Sequence, residues 1–189
     1  MPGVSQDDLE IIQITLAEFP EAFGELIDKY QHRLYNSIVQ IFGKRDAEDI
    51  VQDAFFKSFL KLSTFRGNSS FYTWLYRIAH NTAVSYQRKR SSNVSIEALQ
   101  EAISDSLADD CDSPSHRLEK EERDRHVQRA MALLKEEHRT VLVLREIEGM
   151  SYEIIADILS VPIGTINSRL HRARTCLRDK IGDVIDRCL

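Results

Sequence analysis

A chain of 189 residues has room for one ordinary domain or two small ones. Its 42% hydrophobic and 29% charged residues are a soluble globular composition, which excludes a disordered or membrane-embedded chain, and its longest apolar runs, such as Val141–Leu144, are far too short to span a bilayer. The net charge of −5 argues against a uniformly basic protein, but the charges are segregated. From Arg66 to Ile96 there is no Asp or Glu, while Arg66, Arg77, Arg88, Lys89 and Arg90 fall there. From Glu97 to Asp112 the sign reverses, and Arg169, Arg172, Arg174, Arg178 and Lys180 form a second basic stretch. This alternation suggests two nucleic-acid-facing surfaces.

The N-terminal MPGVSQDDLE has neither the basic nor the apolar stretch of a secretory signal, so a cytoplasmic location is expected. Cys111, Cys176 and Cys188, odd in number and irregularly spaced, read as free thiols of a reducing compartment. Glycine and proline are scarce and the helical period dominates, which predicts an all-α fold. A first long helix, from about Glu21 to Phe42, carries Phe23, Leu26, Ile27, Tyr30, Leu34, Ile38 and Ile41, and Gly43 closes it. A second, Arg45 to Leu62, places Ala47, Ile50, Val51, Ala54, Phe55, Ser58, Phe59 and Leu62 on one apolar stripe. A third carries Phe71, Trp74, Leu75, Ile78 and Thr82. Residues 7–90 are read as one compact helical domain.

Residues 91–115 are polar, acidic and rich in Ser and Asp, which is linker composition with room for a short helix around Ile96–Ile103. The helical period returns in a second domain, 116–182, with Leu118, Val127, Ala130, Met131 and Leu134, then Val141, Leu142 and Leu144 up to Gly149. There the strongest local signal begins. Ser151 is a good N-cap for a short helix carrying Ile154, Ile155, Ile158 and Leu159. Ser160-Val161-Pro162 is a tight break, with Pro162 suited to the first turn of a longer helix that turns Ile166, Leu170, Ala173 and Leu177 inward. Ser168, His171, Arg172 and Thr175 then project outward, flanked by Asn167, Arg174 and Arg178. A short helix, a tight turn and a longer helix with a basic outer face is the geometry that enters a DNA major groove. Arg172 suits a guanine edge and Asn167 an adenine, whereas Arg174 and Arg178 suit phosphates. The plain alternative is a helical hairpin with a solvated basic face.

Residues 65–83, FRGNSSFYTWLYRIAHNTA, closely resemble the promoter-melting segment of the extracytoplasmic-function (ECF) sigma factors. Residues 46–57, DAEDIVQDAFFK, resemble the core-polymerase-binding helix of that family, and residues 138–153 and 162–169 its second, upstream-element-binding domain. The resemblance covers nearly the whole chain in the right order. It implies a sigma factor that directs RNA polymerase to the promoters of a stress or envelope-response regulon, with no catalytic activity, cofactor, metal or small-molecule substrate of its own.

By this resemblance Asp49, Gln52, Asp53 and Phe56 dock on the clamp coiled coil of the largest polymerase subunit, and the second domain meets the flap of the second-largest. Acids beside an exposed aromatic make a plausible hot spot, although a solvated acidic face is the commoner fate of such charges. Phe65, Asn68, Ser69 and Asn81 match the pocket that captures a base flipped from the non-template strand of the −10 element. Arg77, His80, Arg88 and Lys89 are the backbone-contact candidates beside them, and Trp74 reads as core. The −35 element falls to Thr165, Asn167, Ser168, His171, Arg172, Arg174 and Arg178. The acidic linker would thread channels built for nucleic acid, and an anti-sigma protein clamping both domains is a further expected partner.

Three departures from the family pattern stand out. Lys135 occupies a frequent proline position, so a less sharply broken junction is expected there. Asn167 stands where a basic residue is common, and residues 17–20 replace a frequent Gly-Asp turn. The rival reading is a stand-alone helix-turn-helix regulator with an N-terminal sensor domain. It leaves residues 65–83 unexplained and sits poorly with an acidic chain. Zinc at Cys111 with His116, or at His171 with Cys176, lacks the four ligands in paired spacing that structural zinc favours.

Overall fold

The computed structural model describes residues 5–17, 19–93 and 126–186, which form helices, turns and short connections with no strand among them. The chain divides into two compact helical units, Met1–Lys89 and Arg90–Leu189. The acidic segment and the short helix expected within it lie outside the described residues, as does Leu118.

In the first unit, α1 (Gln6–Ala17) packs on α2 (Phe23–Phe42), and a 3-10 turn over Pro20–Ala22 joins them. Asp8, a first-turn acid that looks like an ordinary surface charge in the sequence, is 1% exposed. Its carboxylate accepts hydrogen bonds from Lys29 Nζ at 2.6 Å and from the Tyr30 hydroxyl at 2.7 Å. A buried carboxylate needs such partners because it has lost its water. Burial and Asp8 together push the Tyr30 phenol far above its usual pKa.

α2 turns Phe23, Leu26, Leu34, Ile38 and Ile41 inward at three- and four-residue steps. Gly43 ends it at φ +88°, donating its N–H to Val39 O, in a backbone region that a side chain at this position would strain. α3 (Ala47–Leu60) buries the expected stripe except Phe59, which is 37% exposed. A 3-10 turn over Leu62–Thr64 follows. Ser70 then starts α4 (Phe71–Asn93), its Oγ accepting from the N–H of Thr73 at 3.1 Å. α4 buries Phe71, Tyr72, Leu75, Tyr76, Ala79 and Ala83. A polar pair crosses this core, Ser37 Oγ with the Tyr76 hydroxyl, 3.0 Å apart, which satisfies both groups.

In the second unit, a helical stretch over residues 126–132 (α5) delivers Ala130, Met131 and Leu134 to the core. Val127, expected inward, keeps 39% of its surface, because only the last turn of α5 and the bend after it reach the core. α6 (Glu136–Leu142) runs into a π-helical turn, Val143–Ile147. Val141, Leu142, Val143 and Leu144 are all buried, so this segment is wrapped on every side. The bend before α6 is sharp without a proline. Lys135 sits at φ −59°, ψ 142° and its carbonyl accepts from the N–H groups of His138 and Arg139. The softened junction expected from the missing proline is not what the structure has, because the burial of Leu134 and Val141 on either side holds the bend.

Gly149 at φ +67° then turns the chain into α7 (Tyr152–Leu159), capped as expected by Ser151, whose Oγ accepts from Ile154 N at 3.4 Å. Ser160 adopts the left-handed conformation and α8 (Ile163–Asp186) follows. Pro162 stands just before the first helical residue rather than inside the first turn, its carbonyl accepting from Thr165 N at 2.9 Å and Ile166 N at 3.3 Å. Ile166, Leu170 and Ala173 face the core, while Leu177 is only half-buried.

Candidate functional site

The first candidate surface is the outward face of α3. Asp49, Gln52 and Phe56 are exposed, and Phe56 keeps 62% of its surface, unusual for a phenylalanine and costly in water. Asp53 is only half-exposed and already engaged: it accepts from the Tyr86 hydroxyl on α4 at 3.1 Å and lies 3.6 Å from Lys57 Nζ. Partial burial, then the Asp53 carboxylate with Asp49 and Asp46 behind it, raise the Tyr86 phenol above its usual pKa.

Gln52 and Phe56 also line a groove of about 800 Å³ between α2 and α3, whose floor is Phe23, Ile27, Val51, Phe55 and Phe59, with Gln31, His32, Tyr35 and Glu48 around it. An apolar trough with a polar rim suits an amphipathic helix. The sequence pattern points to Gln52 and Phe56 but not to the groove, since Phe59 and Ile27 read as core. The signal for it is the adjacency of Phe55 and Phe56: neighbours on a helix stand about 100° apart, so the Phe56 ring falls at the edge of the apolar stripe that carries Phe55 and Phe59.

The second surface is the loop between α3 and α4 with the first half of α4. Gly67 at φ +70° shapes the loop. Asn68 is exposed, Ser69 half-exposed, and Phe65 is half-buried against Phe71 and Trp74, ring centroids 5.9 and 5.4 Å away. Trp74 is thus part of an aromatic cluster that holds Phe65 at the base of the loop. Asn81, Arg88 and Lys89 are exposed on α4, and Arg77 is half-buried. His80 is half-buried beside Phe42, centroids 6.0 Å apart, and burial holds its imidazole below the ordinary histidine pKa, so it is neutral near neutral pH. It stands here as a neutral group and not as a cation.

The third surface is the outer face of α8. Asn167, Ser168, His171, Arg172, Arg174 and Arg178 are exposed and Thr165 is half-buried. The turn-and-helix geometry from Ser151 to α8 presents this face as a helix-turn-helix does. Two local bonds order its beginning and middle: Ser168 Oγ donates to Thr165 O at 2.9 Å, and Thr175 Oγ1 to His171 O at 3.1 Å. Arg174 is not idle: its Nε and Nη2 both reach one carboxylate oxygen of Glu146, at 3.2 and 2.6 Å. Arg169 pairs with Glu137 at 3.1 Å.

Two sequence-family models match these same stretches, "Sigma-70 region 2" over residues 26–93 and "Sigma-70, region 4" over residues 125–177. The RNA polymerase sigma-H factor of Pseudomonas aeruginosa is 37% identical over 178 residues, covering 91% of this chain and 92% of that protein. The ECF RNA polymerase sigma-E factor of Escherichia coli K12 is 38% identical over 172 residues, covering 88% and 90%.

The chain belongs to the ECF sigma factors of the sigma-70 family.

This sigma factor also resembles a solved structure, the sigma factor RpoE in complex with the anti-sigma factor NepR from Bartonella quintana, at 26% identity and a TM-score of 0.64 over 85% of this chain and 96% of that one. The first two surfaces lie within the region 2 match, Phe23 of the groove excepted, and the third within the region 4 match, Arg178 excepted by one residue. A sigma factor is a transcription-initiation factor, and the stand-alone regulator is not favoured by relatives that span nearly the whole chain.

Proposed function

We propose that this sigma factor docks on core RNA polymerase through α3 and the α2–α3 groove, and reads promoter DNA with the α3–α4 loop, α4 and α8. The observation that carries the first part is Phe56, a large ring left in water beside an apolar trough. The chemistry fits the clamp coiled coil of the largest polymerase subunit: Asp49 supplies charge, Gln52 hydrogen bonds and Phe56 the apolar anchor, while region 4 meets the flap of the second-largest subunit. Asp53 contributes to this face only to the extent that its bond to Tyr86 lets it.

For the −10 element, Phe65, Asn68, Ser69 and Asn81 line the reach of a flipped non-template base. Arg77, Arg88 and Lys89 hold its backbone, and His80 serves as a neutral hydrogen-bonding group. Extrusion of a base costs a few kcal/mol, which stacking and amide bonds offset. For the −35 element, Thr165, Asn167, Ser168, His171 and Arg172 face the major groove and Arg178 the phosphates. Arg174, tied to Glu146, orients the face and contacts DNA only if it leaves that carboxylate. An anti-sigma protein that covers the α3 face is an expected partner, as is a stress or envelope-response regulon as the output.

Run-off transcription with core polymerase from a genomic fragment library tests the assignment. Specific transcripts are expected, disappearing with Asp49→Ala plus Phe56→Ala through loss of core binding, and with Asn81→Ala through loss of promoter opening. Tight binding of the chain alone to duplex DNA, without association with core, would replace this reading with that of an autonomous regulator.

A further inference from the structure

The contacts between α3 and α4 fall in a place that bears on both proposed surfaces. Tyr86 OH donates to Asp53 Oδ2 at 3.1 Å, and Lys57 Nζ donates to Thr82 Oγ1 at 3.2 Å. Lys57 also lies 3.6 Å from the same Asp53 carboxylate, so the two bonds join into one chain, Thr82–Lys57–Asp53–Tyr86. Thr82 and Tyr86 are one helical turn apart on α4, and Asp53 and Lys57 one turn apart on α3. This makes a two-rung clasp that fixes both the spacing and the rotation of α4 against α3. On α4, the clasp begins one residue after Asn81 and ends two residues before Arg88. Ala79 and Ala83, the last residues of α4 named in the apolar core, offer little side chain to fix rotation, so the polar rungs carry that task for the stretch beyond them.

We infer that Tyr86 is a positioning residue for promoter DNA: by holding Asp53 it sets the rotation of α4 that aims Arg88 and Lys89 at the phosphates of the melted strand. The inference rests on the reading of α4 as the −10 surface. It also gives Asp53 a role distinct from that of Asp49, as an internal acceptor first and a polymerase contact second.

The test uses full-length chain assembled with core polymerase. The probe is a labelled, premelted promoter fragment taken from the run-off selection, its affinity measured across a salt series. Tyr86→Phe removes one hydroxyl and keeps the ring. It is expected to weaken binding of the premelted fragment roughly three- to tenfold, the range that one hydrogen bond's net worth spans. Affinity for core polymerase does not fall, because the freed Asp53 carboxylate only becomes more available to that face. The dependence of log K on log salt becomes shallower by about 0.7 for each phosphate of the single strand that α4 no longer neutralises, a change that general destabilisation would not produce. Lys57→Met, which removes the other rung, is expected to move the same slope in the same direction. An unchanged slope in Tyr86→Phe overturns the inference, and so does an equal loss of core and DNA affinity with a lowered melting temperature. If the wild-type holoenzyme itself does not bind the fragment, the −10 assignment fails, and that outcome is told apart by the wild type alone.

Discussion

Two polar side chains in the first unit are held by partners or packing that the fold brings to them, and each makes a prediction. Asp8 sits 1% exposed between Lys29 and Tyr30, so Asp8→Ala leaves a phenol and an ammonium without their acceptor. Lys29 is 40% exposed and can turn to water, which limits the loss. The expected cost is about 1–3 kcal/mol of stability, read from urea unfolding. His80 is neutral in the fold because burial depresses its pKa below 6.5. The unfolded chain therefore takes up a proton before the folded one does, and stability that is complete above that pH is lost as pH falls through it toward the lower, folded value. The urea midpoint of the wild type should fall between about pH 7 and 5, and His80→Gln should flatten the part of that fall due to His80. A fall identical in both proteins would remove His80 as its cause.

At the level of helices, the sequence was legible wherever periodicity and a terminal residue agreed. α2 ends at Gly43 and α7 begins after Ser151 because a left-handed turn and a side-chain cap are local events. What local pattern could not reveal was where two helices meet. Asp53 reads as one more acid on an outward face, and only the fold brings Tyr86, 33 residues away, to its oxygen. Arg174 reads as a free cation until Glu146, 28 residues back, takes it. Local partners, such as the Thr165 carbonyl for Ser168, follow from helical spacing, whereas long-range ones, such as Tyr86 for Asp53, do not.

The same contrast separates helix variants. Phe56→Ala should leave stability nearly untouched, since the ring is 62% exposed. It should cost about 2 kcal/mol of affinity for core polymerase, roughly thirtyfold, in a direct binding assay. On α8, Arg172→Ala should lose about 1–3 kcal/mol of promoter affinity and relax base preference at one position. Arg174→Ala, whose partner Glu146 is 51% exposed, should change stability by less than about 1 kcal/mol. Equal effects of the two substitutions on base preference would contradict the roles assigned to them.

As a whole, the molecule has two units, each with its own buried core, one around Leu26, Leu34 and Tyr76 and the other around Leu144, Ile155 and Ile166. Separate cores predict separate melting: calorimetry should show a van't Hoff enthalpy below the calorimetric one, and a single two-state transition would count against independent units. Within the second unit, the bend at Lys135 carries a different consequence. Its backbone already lies at φ −59°, inside the range that a proline ring imposes, yet the residue is one with wide freedom when the chain is unfolded. The fold thus restrains by packing what a ring would restrain by covalent geometry, and the unfolded ensemble is broader than it need be. Lys135→Pro should narrow that ensemble and stabilise the unit by about 0.4–1 kcal/mol while leaving the folded packing as it is. Stability in this protein is therefore not set only by what the native structure holds together, but also by how many ways the chain has of being apart.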